Sequence, residues 1–178
     1  MSDNFPHCLA FTIGPGPDPM GQEGGYSNDA GDTGGPTNFG VTQASWSNWI
    51  GRPATVDEMR NLTRAAVVPF YAARFWNSLR CWGLPRGVDL MVFDFGVNAG
   101  CGPSARLLQT AIGANVDGVV GPIAALAARG ADALATISKL HDLQSQHYEA
   151  LNGFHLFGHG WLHRTDARRD TAIAMINP

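Results

Sequence analysis

The residues best suited to chemistry are three carboxylates in a glycine-rich stretch near the start of the chain. Glu23, Asp29 and Asp32 follow one another closely, and residues 1–51 contain no Lys or Arg to pair with them. Cleavage of a glycosidic bond needs a carboxylic acid that protonates the leaving oxygen, and a second polar group that places water or stabilises positive charge on the sugar. We expect Glu23 and Asp32, nine residues apart, to face each other across a groove.

Aromatic side chains flank these acids. Tyr26 and Phe39 would desolvate the Glu23 carboxyl and so raise its pKa, as a proton donor at neutral pH requires. Asp32, which lies among small and polar residues, is expected to stay hydrated and ionised. The alternative interpretation is structural: Asp29 and Asp32 are turn residues, and Glu23 is a solvated helix end.

Two sequence runs resemble the signature of glycoside hydrolase family 108, which comprises phage endolysins and bacterial N-acetylmuramidases. They are Glu-Gly-Gly-Tyr-Ser-Asn-Asp from Glu23, and Gly-Gly-Pro-Thr-Asn-Phe-Gly-Val-Thr ending at Thr42. Further matches follow in order at residues 62–63, 70–71, 75–76, 93–94, 97–100, 108–109, 117–122 and 160–164. The resemblance implies a lysozyme-like fold with Glu23 as the catalytic acid, and a peptidoglycan-binding-like second half.

The spacing also resembles that of phage-type lysozymes, which place an Asp nine positions after the catalytic Glu and a Thr six positions further on. Asp32 fits the first step, whereas the second falls on Asn38, with Thr37 beside it. Either side chain could orient the attacking water. The predicted catalytic residues are therefore Glu23, Asp32, Thr37 and Asn38.

Four residues are predicted to contact the substrate: Tyr26, Phe39, Trp46 and Asn98. Trp46 lies on a short helix just past the glycine-rich stretch, and aromatic faces pack well on sugar rings. Asn98 lies one helical turn after Asp94 on an apolar helix that the resemblance places near the groove. Because a buried Asp must be paired, we expect Asp94 to belong to a structural hydrogen-bond network.

The resemblance implies an N-acetylmuramidase that hydrolyses the β-1,4 bond between N-acetylmuramic acid and N-acetylglucosamine. Two alternatives stay open: a lytic transglycosylase, and a non-catalytic wall-binding or export-assisting protein of the same fold. The expected partner is the glycan strand of bacterial peptidoglycan. We expect a monomer that needs no metal and no other cofactor.

Composition and net charge limit which other classes of protein the sequence could represent. The 178 residues are 44% hydrophobic, enough to form a core without a disulfide or a metal. A net charge of −3 disfavours nucleic acid as a partner. The chain shows no run of apolar residues that would insert stably into a membrane and no classical signal peptide. We therefore expect synthesis in the bacterial cytoplasm and action in the periplasm or cell wall after release.

Capping residues and hydrophobic periodicity predict a mainly α, lysozyme-like helical domain with a small glycine-rich β-wing near the N-terminus, at about residues 24–40. Residues before this wing are predicted to form turns. Helices are predicted to begin after Thr42, Thr55 and Thr63 and to cover residues 88–98, 103–111, 122–129, 132–151 and 162–175.

Two further expectations concern the second half of the chain. Gly158 and Gly160 are predicted to interrupt any helix there, so that His155, His159 and His163 do not form a metal-binding face. By resemblance, residues 1–92 form the catalytic half and residues 93–178 the peptidoglycan-binding-like half, packed together as one globular unit.

Overall fold

The chain folds as a mainly α protein, as predicted. The computed structural model describes residues 4–14, 25–28 and 35–176. The helices in these ranges are α1 (Phe5–Ile13), α2 (Gln43–Ile50), α3 (Val56–Arg60), α4 (Arg64–Tyr71), α5 (Val88–Ala99), α6 (Cys101–Ala111), α7 (Pro122–Gly130), α8 (Ala133–Glu149) and α9 (Phe154–Ile176). A two-stranded antiparallel sheet contains β1 (Thr37–Asn38) and β2 (Val41–Thr42). A π-helical turn, Ala72–Asn77, follows α4, and a 3-10 turn covers Cys81–Gly83.

Threonine caps fix where three helices begin. The Thr42 hydroxyl accepts a hydrogen bond from the backbone N–H of Ser45, and Thr63 caps α4 in the same way. Thr55 and Glu58 form a capping box at the start of α3. Each cap satisfies backbone N–H groups that have no partner within the helix. The three predicted helix starts are confirmed.

Helix α1 shows that the prediction of turns before the wing was wrong for Phe5–Ile13; the turns predicted at residues 15–19 lie outside the described residues. The buried positions of α1 recur at the spacing of one helical face: Phe5, Cys8, Leu9, Thr12 and Ile13. Pro6 lies in the first turn, where the missing N–H of proline costs no helical hydrogen bond. The helix ends before Gly14, which has a φ of 84°. Burial of this face stabilises α1, although the residues that follow the helix are rich in glycine and proline.

The chain divides into two compact units. The wing unit covers Leu9–Ala73, and the helical unit combines Met1–Cys8 with Arg74–Pro178. These bounds differ from the predicted division at residue 92. The assignment of a catalytic half and a peptidoglycan-binding-like half stays a prediction.

Helix α5 is the centre of the helical unit. All residues from Val88 to Gly96 are buried, and α6, α8 and α9 pack on this helix. Gly87, just before α5, has a φ of 83°, and an added Cβ would lie 2.5 Å from the Ala172 carbonyl oxygen. Only glycine allows this close approach of the α5 start to α9.

Helix α9 runs without a break through Gly158 and Gly160, so the predicted interruption was wrong. Gly158 is buried, and an added Cβ would lie 2.5 Å from the Phe154 ring. The absent side chain lets that ring pack, which offsets the helix penalty of about 1 kcal/mol for glycine. Although α9 has 23 residues, none of the helices in the described ranges is both long and apolar enough to cross a membrane.

Candidate active site

A two-residue turn joins β1 to β2 in the glycine-rich wing. The φ angles at Phe39 and Gly40 are 49° and 70°, and both lie in the left-handed region that a type I′ hairpin turn requires. The Tyr71 hydroxyl on α4 donates a hydrogen bond to the Phe39 carbonyl at 2.6 Å. This bond helps to hold a bulky residue in a backbone conformation that favours glycine. The predicted wing is confirmed over its described residues.

A backbone bridge adds Ser27 to this hairpin. The N–H and carbonyl groups of Ser27 and Thr37 exchange two hydrogen bonds of 2.8 Å each. In sequence, Asp32 lies between these paired residues, and Glu23 lies four residues before Ser27. Glu23 and Asp32 are outside the described residues, so their catalytic roles stay predictions.

Tyr26 lies next to the bridge and is half-buried. The Arg60 guanidinium carbon is 5.4 Å from the centroid of its ring, which is a cation–π arrangement. Within the described part of the chain, the buried Tyr26 hydroxyl has no hydrogen-bond partner. Such a group costs about 1–3 kcal/mol. The predicted substrate contact of Tyr26 stays a prediction.

Thr37 and Asn38 are adjacent but have different surroundings. Asn38 is 4% exposed, and its amide donates to the Met59 carbonyl at 2.9 Å and lies within 3.5 Å of two further carbonyls after it. The Asn38 side chain therefore anchors the hairpin to the end of α3. Thr37 is half-buried, and its hydroxyl donates to the Gly35 carbonyl at 3.1 Å. Its oxygen can still accept a hydrogen bond.

Arginines hold the two carboxylates among the described residues of the wing unit. Asp57 pairs with Arg60 at 3.0 Å, and Glu58 accepts two hydrogen bonds from Arg52, at 2.5 and 3.1 Å. The hydrogen bond from Arg52 and the Thr55 backbone N–H lower the pKa of Glu58 to about 2. Neither carboxylate has the apolar setting that a general acid requires.

Trp46 lines an open groove of about 330 Å³ formed by residues of α2, α3 and α4. Its ring is half-buried and lies 6.3 Å from that of Phe70, at an interplanar angle of 59°. Asn61 and Thr63 supply polar atoms to the same groove. An aromatic face beside amide and hydroxyl groups suits a saccharide, and the substrate contact of Trp46 stays a prediction.

Asn98 belongs to the helical unit and is exposed near the end of α5. Its Oδ1 atom accepts a 2.8 Å hydrogen bond from the Tyr148 hydroxyl. The Tyr148 ring stacks on Trp161, with centroids 5.5 Å apart. Asn98 therefore presents an amide beside an aromatic pair. Its contact with the substrate stays a prediction.

One turn earlier on α5, Asp94 forms the structural network predicted for it. The fully buried carboxylate accepts two hydrogen bonds from Arg164, at 2.7 and 3.0 Å, and one from Arg168 at 2.7 Å. Arg168 also donates to Gln144 at 2.6 Å. Burial by itself raises the pKa of Asp94. The two guanidiniums have the larger opposite effect, so the pKa is lowered to about 2. Sequence reasoning missed both arginines, although their i, i+4 spacing on the last helix was a usable signal.

A helical unit built around a buried α5, and a second unit that contains a small hairpin, define a lysozyme-like fold. The solved structure of Brucella abortus SagA is similar, with a TM-score of 0.81 and 32% sequence identity. That similarity covers 97% of this chain and 92% of the SagA chain. The sequence profile of glycosyl hydrolase 108 matches residues 19–100. Among curated proteins, no match was found.

The chain belongs to glycoside hydrolase family 108. It is therefore a glycoside hydrolase of lysozyme-like fold whose substrate class is peptidoglycan. Every predicted site residue, from Glu23 to Asn98, falls within the range matched by the family profile.

Proposed function

We propose that this protein is an N-acetylmuramidase with Glu23 as its general acid. It hydrolyses the β-1,4 bond between N-acetylmuramic acid and N-acetylglucosamine in peptidoglycan. The observation that carries the proposal is the family match over residues 19–100, in which Glu23 opens the Glu-Gly-Gly-Tyr motif.

The paired state of the other carboxylates supports this choice of acid. Asp57 and Glu58 are held by arginines, which leaves the acids of residues 15–34 as candidates in the wing unit. Glu23 is four residues from Ser27, and Asp32 is five residues from Thr37. Both acids therefore belong to the same glycine-rich stretch of sequence as the paired residues Ser27 and Thr37.

In the proposed reaction, Glu23, Asp32, Thr37 and Asn38 have separate tasks. Glu23 donates its proton to the glycosidic oxygen as the bond to the sugar breaks. Asp32 stays ionised and stabilises positive charge on the sugar ring or places the attacking water. The Thr37 oxygen is available to accept a hydrogen bond from that water, whereas the Asn38 amide is used to anchor the hairpin.

The remaining predicted residues bind the saccharide. Tyr26, Phe39 and Trp46 supply half-buried aromatic rings. Asn98 supplies an amide beside Tyr148. We further propose that the protein acts as a monomer in the periplasm or cell wall, after synthesis in the bacterial cytoplasm.

Digestion of purified peptidoglycan tests the proposal directly. Mass spectrometry of the released fragments should show reducing N-acetylmuramic acid ends. Glu23→Gln keeps the shape of the side chain but removes its transferable proton, so the rate should fall by about a hundredfold or more. Asp57→Asn is the matched control, because this carboxylate is in the same unit but is paired with Arg60. It should keep the wild-type rate per folded molecule.

Other fragment patterns would assign a different function. Anhydro-muramic ends would identify a lytic transglycosylase, and reducing N-acetylglucosamine ends would place the cleavage at the other glycosidic bond. Uncleaved strands that still bind the wild-type protein would favour the wall-binding role. Normal digestion by the Glu23→Gln variant would show that another residue supplies the proton.

A further inference from the structure

We infer that the exposed face of α9 binds a divalent transition-metal ion through His155, His159 and His163. Successive histidines are four residues apart on one continuous helix. Side chains at this spacing lie one above the other, with Cβ atoms roughly 6 Å apart, and two imidazoles so placed can hold one metal ion. His159 belongs to both pairs, so the row provides two overlapping two-histidine sites.

The three imidazoles are accessible from solvent. His155, His159 and His163 are all exposed, while α9 buries its other face through residues such as Arg164 and Arg168. Gly160 lies next to His159, and a Cβ added there would meet no atom within 4 Å. Position 160 therefore places no side chain on the surface next to His159.

A backbone carbonyl orients the first imidazole for metal binding. The Nδ1 atom of His155 lies 3.1 Å from the Asn152 carbonyl oxygen. A carbonyl can only accept, so the proton of a neutral ring is placed on Nδ1 and the lone pair on Nε2. Metal-bound histidines commonly have this arrangement, in which the second ring nitrogen donates to a carbonyl.

The local charge does not oppose a cation. Residues 151–163 contain no Lys and no Arg. The next residue, Arg164, points into the core, where its guanidinium pairs with Asp94 at 2.7 Å. The stretch also lacks Asp and Glu, so its donors are imidazole nitrogens alone. These favour Zn²⁺, Ni²⁺ and Cu²⁺ over Mg²⁺ and Ca²⁺, which prefer oxygen ligands.

Each pair of histidines supplies two protein ligands to the metal ion. In the described ranges, no three or more His, Cys, Asp or Glu side chains converge on one point where they could hold a metal ion. Water or a donor from another molecule would therefore complete the coordination of Zn²⁺. This is a solvent-exposed binding site that is independent of the proposed catalytic residues in the wing unit.

Calorimetric titration of the untagged full chain with Zn²⁺ tests the inference. His159→Ala removes both pairs and should weaken binding about tenfold or more, because linked donors gain their affinity from acting together. His155→Ala and His163→Ala each leave one pair, so each should weaken binding by roughly twofold. His7→Ala is the matched control, since His7 is exposed but has no histidine four residues away. It should leave the affinity unchanged.

NMR spectra of the imidazole nitrogens give a second readout. Zn²⁺ should shift the signals of the three α9 histidines and leave that of His7 in place. Far-UV circular dichroism checks that each variant keeps its helices, and His159→Gln replaces the Ala variant if that one fails to fold. Wild-type Zn²⁺ affinity in a folded His159 variant, or an equal loss in His7→Ala, would overturn the inference. Signals of the α9 histidines that stay in place when Zn²⁺ is added would overturn it as well.

Discussion

Asn4 donates its side-chain amide to the Asp89 carboxylate at 2.8 Å and so joins the start of the chain to α5. Asp89 is 2% exposed, and it also accepts hydrogen bonds from the backbone N–H groups of Gly87 and Leu90. Burial raises the pKa of Asp89 despite these bonds, whereas the pKa of Asp94 is lowered to about 2. The helical unit therefore contains two buried carboxyl groups with opposite pH dependence.

Asp94→Asn should lower the free energy of unfolding by about 3–5 kcal/mol at neutral pH, because it leaves Arg164 and Arg168 buried without their counter-charge. The pKa of Asp94 is below its ordinary value of 3.8. The stability that it contributes is therefore present above about pH 4 and is lost as the pH falls towards 2. Urea unfolding from pH 3 to 7 should show the loss shrinking at the acidic end. A loss that is independent of pH would contradict the ionic role of Asp94.

Asp89→Asn should have the opposite pH dependence. Because the pKa of Asp89 is raised, its contribution is present below the unfolded-state pKa and is lost as the pH rises through the folded-state value. Relative to the wild type, the free energy of unfolding of the variant should therefore increase between pH 4 and pH 7. The same urea series measures this trend, and a decrease would rule out the proposed effect of burial.

Tyr71→Phe should lower stability by about 1 kcal/mol, since it removes the hydrogen bond to the Phe39 carbonyl. Phe39 keeps a φ of 49°, which that bond no longer supports. Phe39→Gly added to the Tyr71 variant should recover part of the lost stability, because glycine adopts positive φ without strain. Thermal unfolding of both variants checks this. Further destabilisation in the double variant would show that the Phe39 side chain contributes more than its backbone strain costs.

Thr37→Val and Asn38→Ala should separate water placement from hairpin anchoring. Thr37→Val replaces the hydroxyl with a methyl group, so turnover should fall by about tenfold or more. The lost hydrogen bond to the half-buried Gly35 carbonyl should lower the melting temperature less than Asn38→Ala does. Asn38→Ala leaves the Met59 carbonyl without its partner and should cost about 1–3 kcal/mol of stability. Its turnover per folded molecule should fall less than that of Thr37→Val. The reverse order of turnover would assign the water to Asn38.

Asp32→Asn should strongly reduce turnover on peptidoglycan but leave binding to the wall intact. The change removes the negative charge proposed to stabilise the sugar ring or to place water. Asp29→Asn is the matched control, because it removes an acid three residues earlier in the same stretch. Sedimentation with purified walls measures binding, and fragment release measures turnover. Equal activity losses in the two variants would point to a general effect of charge.

Local signals in the sequence correctly predicted where α2, α3 and α4 begin. The caps at Thr42, Thr55 and Thr63 are confirmed because each depends on contacts within a few residues. The two errors, at α1 and at Gly158, depend on distant packing. Both helices form because a buried face outweighs glycine and proline composition nearby, and the sequence alone does not reveal the packing partner.

The candidate active site was predicted mainly from a sequence motif, and less from the physical properties of its residues. Composition and spacing could indicate a carboxylate-rich wing, but the choice of Glu23 depends on its resemblance to a family. The burial of Asn38 against α3 and the bond from Tyr71 to Phe39 join residues 21 and 32 positions apart. No local pattern encodes such pairs. The requirement that buried Asp94 be paired was predictable. Its partners on α9 were missed, because they lie 70 and 74 residues away and only their i, i+4 spacing marks them.

The helical unit combines residues that precede the wing unit with residues that follow it, and this affects the order in which its contacts can form. Phe5 packs on Trp76 and Phe93, with ring centroids 5.3 and 5.9 Å away, while Arg168 reaches Asp94 from 74 residues further on. A ribosome therefore synthesises α5, with its run of core residues, well before the arginines that neutralise Asp94 have been added. The unit completes the ion pairs of its core only after Arg168 has been synthesised. Until then, the nascent chain presents an apolar helix of the kind that chaperones protect.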